Sequence, residues 1–333
     1  MKKVILCTLC FLKQKIQKLL FFILSLILLI AGVWMSAAMP VVLKSIPSGV
    51  ITLFLLIALL LFFAGMWKKR YHLALLIMEA AFAGYFITLT PQEQFRNVEF
   101  QRVFATVPEI KYLDNDRFEV INIRRNRYPD HYDEDAPYND IFERDVFDMG
   151  KVASVQFAAV HWGGMDLVAH TMLNFKFTDG KELTVSVEPR TPVGVDREAF
   201  TCMCKQQQLL FILSDTQDLF ELRSRVRGEN IYIYETTFTP QEARKLLEYI
   251  IARCEKLYRE PEFYDLIEDN CITALLPGFK AARPDLQWDA RIIFNGFFDR
   301  LLWEQGVLKC REDESFESLK SRSFIKGKSQ GQL

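Results

Sequence analysis

A cysteine and a histidine are the two residues of this chain whose side chains could together form a nucleophilic site. Cys271 follows Asn270, and His170 lies well upstream. Because asparagine is a preferred N-cap residue, Cys271 is predicted to lie in the first turn of a helix, where the helix dipole lowers the pKa of a thiol. His170 would act as the base that activates this thiol. Residue types alone nevertheless favour an inert, buried Cys271, because one cysteine and one histidine far apart in sequence are weak evidence.

A β-hairpin predicted from His170 to Glu188 supplies a partner for the imidazole. Apolar and polar side chains alternate on both sides of an Asp-Gly turn. A three-residue loop, residues 178–180, with its glycine in the left-handed region, aligns the apolar faces of the two strands, whereas a two-residue loop would oppose apolar to polar residues. This register sets His170 against Glu188, whose carboxylate would orient the imidazole. Pairing of Glu188 with Arg190 or another surface cation is the alternative.

Other polar residues are weaker candidates for the same site. Asn270 and Asn174 could lie on the substrate or oxyanion side of the thiol. His161 precedes two glycines and could add a second imidazole to the cleft, although a turn residue is the favoured interpretation. Cys202 and Cys204 could bind a metal, but no second pair with zinc-like spacing accompanies them, so neither a metal nor another cofactor is predicted.

The elements that must position these residues form an α+β domain. Strands are predicted over Phe118–Ile123 and Val152–Val160, ahead of the hairpin. Thr239 and Glu242 form a capping box at the start of an amphipathic helix. Cys254 falls on the buried stripe of that helix and is interpreted as an inert core thiol. The net charge of −1 argues against a nucleic-acid partner.

The N-terminal part of the chain is far more apolar than the rest. Leu19–Ala38, Gly49–Trp67 and Tyr71–Thr90 are each about 20 residues long, enough to cross a membrane. Lysine and arginine collect before the first segment and between the second and third, which predicts an N-terminus inside and everything after Thr90 outside. A cleaved signal peptide over residues 1–38 is the alternative. Glu79, in the third segment, is interpreted as a helix-packing residue.

These patterns divide the chain into four regions. Residues 1–18 are predicted to be cytoplasmic, residues 19–90 to form a three-helix membrane anchor, and residues 91–310 to form one extracytoplasmic domain. Residues 311–333 are polar and are predicted to be an unfolded tail.

An ordered set of motifs gives the domain a family resemblance. Between about Phe95 and Gly306 the chain resembles the Lnb N-terminal periplasmic domain family, named from the lipoprotein intramolecular transacylase. The family usually has asparagine and threonine where this chain has Asp269 and Ile272. The motifs are Ala169-His170-Thr171-Met172-Leu173-Asn174-Phe175, Ser186-Val187-Glu188-Pro189-Arg190, Pro261-Glu262-Phe263-Tyr264, Asp269-Asn270-Cys271-Ile272-Thr273, and a closing segment from Arg291 that contains Asn295-Gly296 and Leu301-Leu302.

The resemblance implies a permuted papain-like (NlpC/P60-like) domain, with histidine before cysteine, at the outer side of a bacterial inner membrane. It implies Cys271 as the nucleophile, His170 as the base and Glu188 as the residue that orients the base. The implied activity is transfer of an acyl group from a membrane lipid or lipoprotein. A thiol hydrolase of envelope peptides and a non-catalytic envelope module remain open as alternatives, and the sequence does not indicate an oligomeric state.

Overall fold

The protein divides into two compact units, Met1–Gln94 and Phe95–Leu333. The structure, a computed structural model, describes residues 2–42, 48–68, 70–129, 140–162, 167–196 and 199–325.

The N-terminal unit is helical. Leu28, Ala58 and Leu75, one from each of the three long helices, pack together in its interior. The apolar residues on the outside of these helices are exposed, as in a segment that faces lipid. The helices are α1 (Lys2–Val42), α2 (Ser48–Trp67), α3 (Arg70–Thr88) and the short α4 (Pro91–Gln94).

Only one helix of the described residues is long and apolar enough to cross a membrane, over the 21 residues Lys15–Met35. The apolar stretches of α2 and α3, Leu56–Gly65 and His72–Phe86, are shorter. A membrane span needs about 20 apolar residues, and these stretches fall below that length. The prediction of three membrane spans is therefore wrong in number, and the structure supports one.

The C-terminal unit is a mixed α/β domain. A π-helical turn, Leu222–Val226, follows α7, and a short 3-10 turn, Asn295–Phe297, precedes α10. The elements, in chain order, are α5 (Arg102–Ala105), β1 (Glu109–Tyr112), β2 (Arg117–Arg124), β3 (Phe142–Asp148), β4 (Val152–His161), β5 (Ala169–Phe177), β6 (Glu182–Arg190), α6 (Ala199–Met203), β7 (Gln208–Ser214), α7 (Thr216–Glu221), β8 (Asn230–Glu235), α8 (Pro240–Arg259), α9 (Leu276–Ala282), α10 (Phe298–Glu304), α11 (Phe316–Ser323) and β9 (Phe324–Ile325).

The strands of the described residues form one nine-stranded sheet in the order β1-β2-β7-β6-β5-β4-β8-β9, with β3 paired to β2. All pairs are antiparallel except β2 with β7. Strand residues alternate between two cores. Leu173 and the apolar residues that share its side of the sheet pack under α8, whereas Met172 packs with Phe220 of α7 on the other face. Both faces of the central strands are therefore covered by apolar side chains, which fixes their register.

The predicted hairpin is confirmed in register and in loop type. β5 and β6 pair Phe175 with Leu183 and Met172 with Ser186, as the alignment of apolar faces requires. Gly180 closes the loop with a φ of 85°, in the left-handed region that glycine adopts without strain.

The predicted start of α8 is also confirmed. The Thr239 hydroxyl accepts the N–H of Glu242, while the Glu242 carboxylate accepts the N–H of Thr239. Cys254 lies on the buried stripe of this helix, 1% exposed, as its spacing predicted.

The predicted unfolded tail is wrong for residues 311–325. Ser315 caps α11, and Phe316 and Leu319 place an apolar face of this helix in the core. β9 then pairs with β8 at the sheet edge. Two apolar residues three positions apart were enough to dock a segment whose average composition is polar. Residues 326–333 of the predicted tail lie outside the described residues.

Candidate active site

Cys271 lies in a hydrogen-bonded turn that leads into α9. The side-chain oxygen of Asn270 accepts the N–H groups of Ile272 and Thr273 at 2.8 and 2.9 Å, as an N-cap residue does. The regular helix begins only at Leu276, however. The prediction that Cys271 occupies the first turn of an α-helix is therefore wrong, and the groups that lower the pKa of its thiol are His170 and Thr171.

The Cys271 sulfur is enclosed by groups that donate hydrogen bonds. Asn295 Nδ2 lies 3.1 Å from Sγ, and the Oδ1 of the same side chain accepts the Ala169 N–H at 2.9 Å. The backbone N–H of Thr171 also hydrogen-bonds to the thiol, while the Thr171 hydroxyl donates to the Cys271 carbonyl at 3.1 Å. With Cys271 4% exposed, these donors meet the sulfur in a space that is closed to bulk solvent.

The sulfur lies where two strands separate. β4 stays paired with β5 as far as Ala169, whereas the β5–β6 pairs end at Met172 and Ser186. Pro189 in β6 has no N–H to offer to a neighbouring strand. Because the Thr171 N–H is not taken up by a β6 partner, it is available to the Cys271 sulfur.

The His170 imidazole is held on its far side by a hydroxyl and a carboxylate. His170 Nε2 lies 2.7 Å from Ser186 Oγ and 3.0 Å from Glu188 Oε1. Ser186 Oγ in turn donates to Glu188 Oε1 at 2.7 Å. Because the Ser186 proton is used toward Glu188, the hydroxyl oxygen and the carboxylate both face Nε2 as acceptors, so Nε2 carries the ring proton and Nδ1 is the nitrogen that can take a proton from Cys271. The predicted proximity of His170 and Glu188 is present, with Ser186 as an unpredicted third member.

The pKa of Cys271 differs in direction from that of every other cysteine of this domain. Burial alone would raise the pKa of the Cys271 thiol, but the hydrogen bond and charge of His170 and the hydrogen bonding of Thr171 together outweigh burial and lower it. In contrast, burial raises the pKa of Cys202 to about 12 and that of Cys204 to about 11. The pKa values of Cys254 and Cys310 are also raised. Only at Cys271 do the neighbouring groups that favour the thiolate outweigh the effect of burial.

The charges around His170 favour its imidazolium form. Burial lowers the pKa of His170, but the Glu188 carboxylate more than compensates and raises it. Burial acts to raise the pKa of Glu188, whereas His170, Arg223 and Ser186 hold it well below its usual range. Thiolate, imidazolium, carboxylate and guanidinium therefore alternate in sign through the buried site.

Two of the weaker candidates lie away from the sulfur. Asn174 is on the same strand as His170 but hydrogen-bonds to Gln156 and Thr184 inside the sheet. His161 pairs with Ala169, one position away from His170, so its ring points to the opposite face of the sheet. There it packs against Tyr232 and lies 4.0 Å from Asp299. The structure does not bring either residue to Cys271.

Asn270 is close to Cys271 but its side chain is already used. Its oxygen caps the turn, and its Nδ2 donates to the Leu266 carbonyl at 2.7 Å. Asn270 therefore shapes the turn that presents Cys271, and both polar atoms of its side chain are engaged within that turn.

Besides Ser186 and Thr171, three more residues at the site were not assigned a role from sequence. Asn295 and Arg223 come from segments remote from Cys271, and only the closing motif that contains Asn295 gave a signal. Tyr264 is the last residue of a motif that carries the family resemblance, and the Cys271 backbone N–H hydrogen-bonds to its phenol oxygen. Burial raises the pKa of Tyr264 well above its usual value, as does the adjacent Cys271. Its hydroxyl therefore stays protonated beside the sulfur and can donate a hydrogen bond.

The described residues contain no group of three or more His, Cys, Asp or Glu placed to hold a metal ion. The five cysteines of the domain are free thiols in this structure.

The fold and site define a mixed α/β domain with a buried, acidic thiol beside an oriented imidazole. Residues 138–300 match the model of the Lnb N-terminal periplasmic domain family. The family predicted from the motifs is confirmed by this match over residues 138–300. Together with the apolar helix Lys15–Met35, the match fits a membrane-anchored protein with an extracytoplasmic domain of the cell envelope. No curated protein and no solved structure matches the chain.

Proposed function

We propose that the domain is a thiol acyltransferase in which Cys271 takes an acyl group from a membrane lipid or lipoprotein and passes it to an amine. The observation that carries the proposal is the buried Cys271 sulfur 3.1 Å from Asn295 Nδ2, beside a His170 ring that Ser186 and Glu188 orient; the direction of the Cys271 pKa shift agrees with it. A structural cysteine needs no such stabilisation, and the other buried thiols of the domain lack it. The proposal includes a papain-like site of permuted order, with His170 before Cys271 in the chain.

In the first half of the proposed reaction, the Cys271 thiolate attacks the carbonyl carbon of an ester. A carbon–sulfur bond forms, the ester carbon–oxygen bond breaks, and the leaving alkoxide takes the proton of the His170 imidazolium. The Tyr264 hydroxyl lies beside the sulfur, where it can donate a hydrogen bond to the oxyanion of the tetrahedral intermediate.

In the second half, an amine attacks the thioester. The carbon–nitrogen bond of an amide forms, the carbon–sulfur bond breaks, and His170 accepts the proton that the amine loses. Glu188 and Ser186 hold the imidazole in one orientation through both halves. The thiolate is regenerated, and neither a metal nor a redox partner is consumed.

Exposed apolar side chains next to the site support an acyl substrate. Leu167 and Val168, directly before Ala169, are 58% and 40% exposed, and Phe294 and Phe297, on either side of Asn295, are 52% and 40% exposed. The two segments are joined by the hydrogen bond from the Gly296 N–H to the Leu167 carbonyl, 3.1 Å long. Apolar side chains clustered on a surface mark binding sites for apolar partners.

The test is mass spectrometry of lipoprotein N-termini from cells that carry the wild-type gene, no gene, or the variant Cys271→Ala. We expect an amide-linked acyl chain on the N-terminal residue only when Cys271 is present. Cys310→Ala is the matched control, because Cys310 is an exposed thiol whose pKa is raised rather than lowered, and its loss should leave acylation unchanged.

Identical lipoprotein N-termini in all four strains would refute the acyltransferase. Free fatty acid or cleaved envelope peptide, released in a Cys271-dependent way without amide formation, would assign hydrolysis with water as the acceptor. A thiol that binds neither acyl donors nor electrophiles would assign a non-catalytic envelope module. The proposal also places the N-terminal helix in the inner membrane and the domain on its outer side.

A further inference from the structure

A buried arginine touches the carboxylate behind the catalytic imidazole. Arg223 Nη2 lies 2.6 Å from Glu188 Oε1, the same oxygen that accepts from Ser186 and lies 3.0 Å from His170 Nε2. The side chains of Arg223 and Glu188 are 5% and 8% exposed. A fully buried arginine is rare unless it is paired, so its placement here needs a reason.

Arg223 is itself anchored at a second point. Its Nη1 lies 3.3 Å from Glu229 Oε2, and Glu229 Oε1 accepts the indole N–H of Trp162 at 2.9 Å. The Glu229 N–H also donates to the Arg223 carbonyl at 2.8 Å. The guanidinium is thus held between two carboxylates, and one of them belongs to the thiol site.

The backbone that carries Arg223 is unusual. It lies in the π-helical turn Leu222–Val226, in which the Arg227 N–H reaches the Leu222 carbonyl at 3.0 Å. Such turns replace the ordinary α-helical hydrogen bonds at a cost and occur often at functional sites. This turn continues α7, whose Leu219 and Phe220 pack on the face of the sheet that carries Met172.

We propose that Arg223 is a positioning residue of the thiol site, which fixes Glu188 against Ser186 and competes with His170 for the same carboxylate oxygen. The inference rests on the proposed function. It adds an explanation of how His170 can both take up and release its proton during the reaction. A buried imidazole with a carboxylate to itself would hold its proton tightly, whereas a base must release that proton to the leaving group. The charged and titratable groups that face His170 are Glu188, Arg223 and Cys271. Of these, the Arg223 guanidinium acts to lower the pKa of His170, against the Glu188 carboxylate.

The test measures the titration of His170 by NMR of histidine-labelled full-length protein, in a Cys271→Ser background that removes the coupled thiol. With Arg223→Met, we expect the pKa of His170 to rise, because the opposing positive charge is gone. With Arg223→Lys, the charge is kept and the titration should stay near that of the parent. Arg225→Met is the matched control: Arg225 is on the same π-helical turn but pairs with Glu221.

A second comparison keeps the test decisive if Arg223→Met does not fold. Glu188→Gln leaves Arg223 paired with Glu229. The double variant Glu188→Gln with Arg223→Met removes the Arg223 charge without leaving a carboxylate at position 188, and Glu229 keeps the hydrogen bond from the Trp162 indole. We expect a higher His170 pKa in the double variant than in Glu188→Gln alone. Equal values in that pair, or a folded Arg223→Met protein whose His170 titrates like the Arg225→Met control, would overturn the proposal.

Because the titration needs no substrate, it separates this inference from the acyltransferase itself. In enzyme with Cys271 intact, Arg223→Met should also lower the rate of amide formation by about tenfold or more, the scale of a hydrogen bond to a charged group. Arg223→Lys should recover part of that loss. A normal His170 titration response with no acyl transfer in any variant would refute the reaction and leave the positioning role intact.

Discussion

At the scale of single residues, the site is defined by what each polar atom near Cys271 already binds. Asn295 bridges the Ala169 N–H and the sulfur, and its orientation is fixed because its oxygen and its nitrogen have different partners. Asn270 has the same side chain and is closer in sequence, yet both of its polar atoms are used within the turn. Sequence proximity therefore pointed to Asn270, whereas the asparagine that contacts the thiol is Asn295. Proximity in sequence cannot show which side-chain amide is directed at the sulfur.

Replacement of His170 provides the residue-scale prediction for the thiol. In the wild-type protein the lowered pKa of Cys271 means that the thiolate persists as the pH falls below the ordinary cysteine value of about 8.5. His170→Ala removes the hydrogen bond and the positive charge but not the burial, so the pKa of Cys271 should rise above the ordinary value. The thiolate should then be lost near neutral pH. The measurement is thiolate absorbance in the far ultraviolet against pH, as the difference from Cys271→Ser.

The control for this titration is His161→Ala, which removes an imidazole on the opposite face of the sheet. It should leave the Cys271 titration unchanged. A thiolate curve that is the same with and without His170 would show that the two side chains are not coupled, and the proposed nucleophile would lose its base.

At the scale of elements, local patterns were predictable and long-range contacts were not. The hairpin register and the cap of α8 follow from alternation, turn chemistry and spacing within a few residues, and both are confirmed. The turn at Asn270 was found, although the regular helix starts later, at Leu276. Arg223 and Asn295 reach the site only because the sheet and its covering helices bring remote segments together, which no local pattern encodes.

A substitution at Gly180 tests how much the hairpin loop contributes to the site. Gly180 has a φ of 85°, and an added Cβ there would meet no atom within 4 Å, so the cost of Gly180→Ala is backbone strain alone. We expect a loss of about 1–2 kcal/mol in the free energy of unfolding, from the penalty for a side chain in the left-handed region. Chemical denaturation of the purified protein measures it.

Gly150→Ala is the comparison for that loss. Gly150 lies in a short 3-10 turn without a positive φ, and its added Cβ would meet only the flexible Asp148 side chain at 3.1 Å. Its effect should be smaller than that of Gly180→Ala. If the two variants unfold at the same denaturant concentration, the three-residue loop with a left-handed glycine does not hold the register of β5 and β6.

At the scale of the whole molecule, the chain combines a domain that has its own core with a helix of membrane length. Residues 95–333 contain both apolar cores of the sheet and all of the groups around Cys271. We therefore expect this fragment to fold alone and to show the same Cys271 thiolate titration as the full chain. Its rate of acyl transfer to lipoproteins embedded in vesicles should nevertheless fall by about 100-fold or more, because an anchor on the same bilayer raises the effective concentration of the substrate.

Vesicle assays with three proteins measure this effect of the anchor: the full chain, residues 95–333 alone, and the same fragment behind an unrelated single membrane-spanning helix. If anchoring works through effective concentration, the unrelated helix restores most of the rate, and the three proteins act equally on the same lipoprotein dispersed in excess detergent micelles. An unanchored fragment that matches the full chain on vesicles would contradict the role of the membrane anchor. A fragment that only α1–α3 can restore would instead show that the native helices contribute contacts to the substrate.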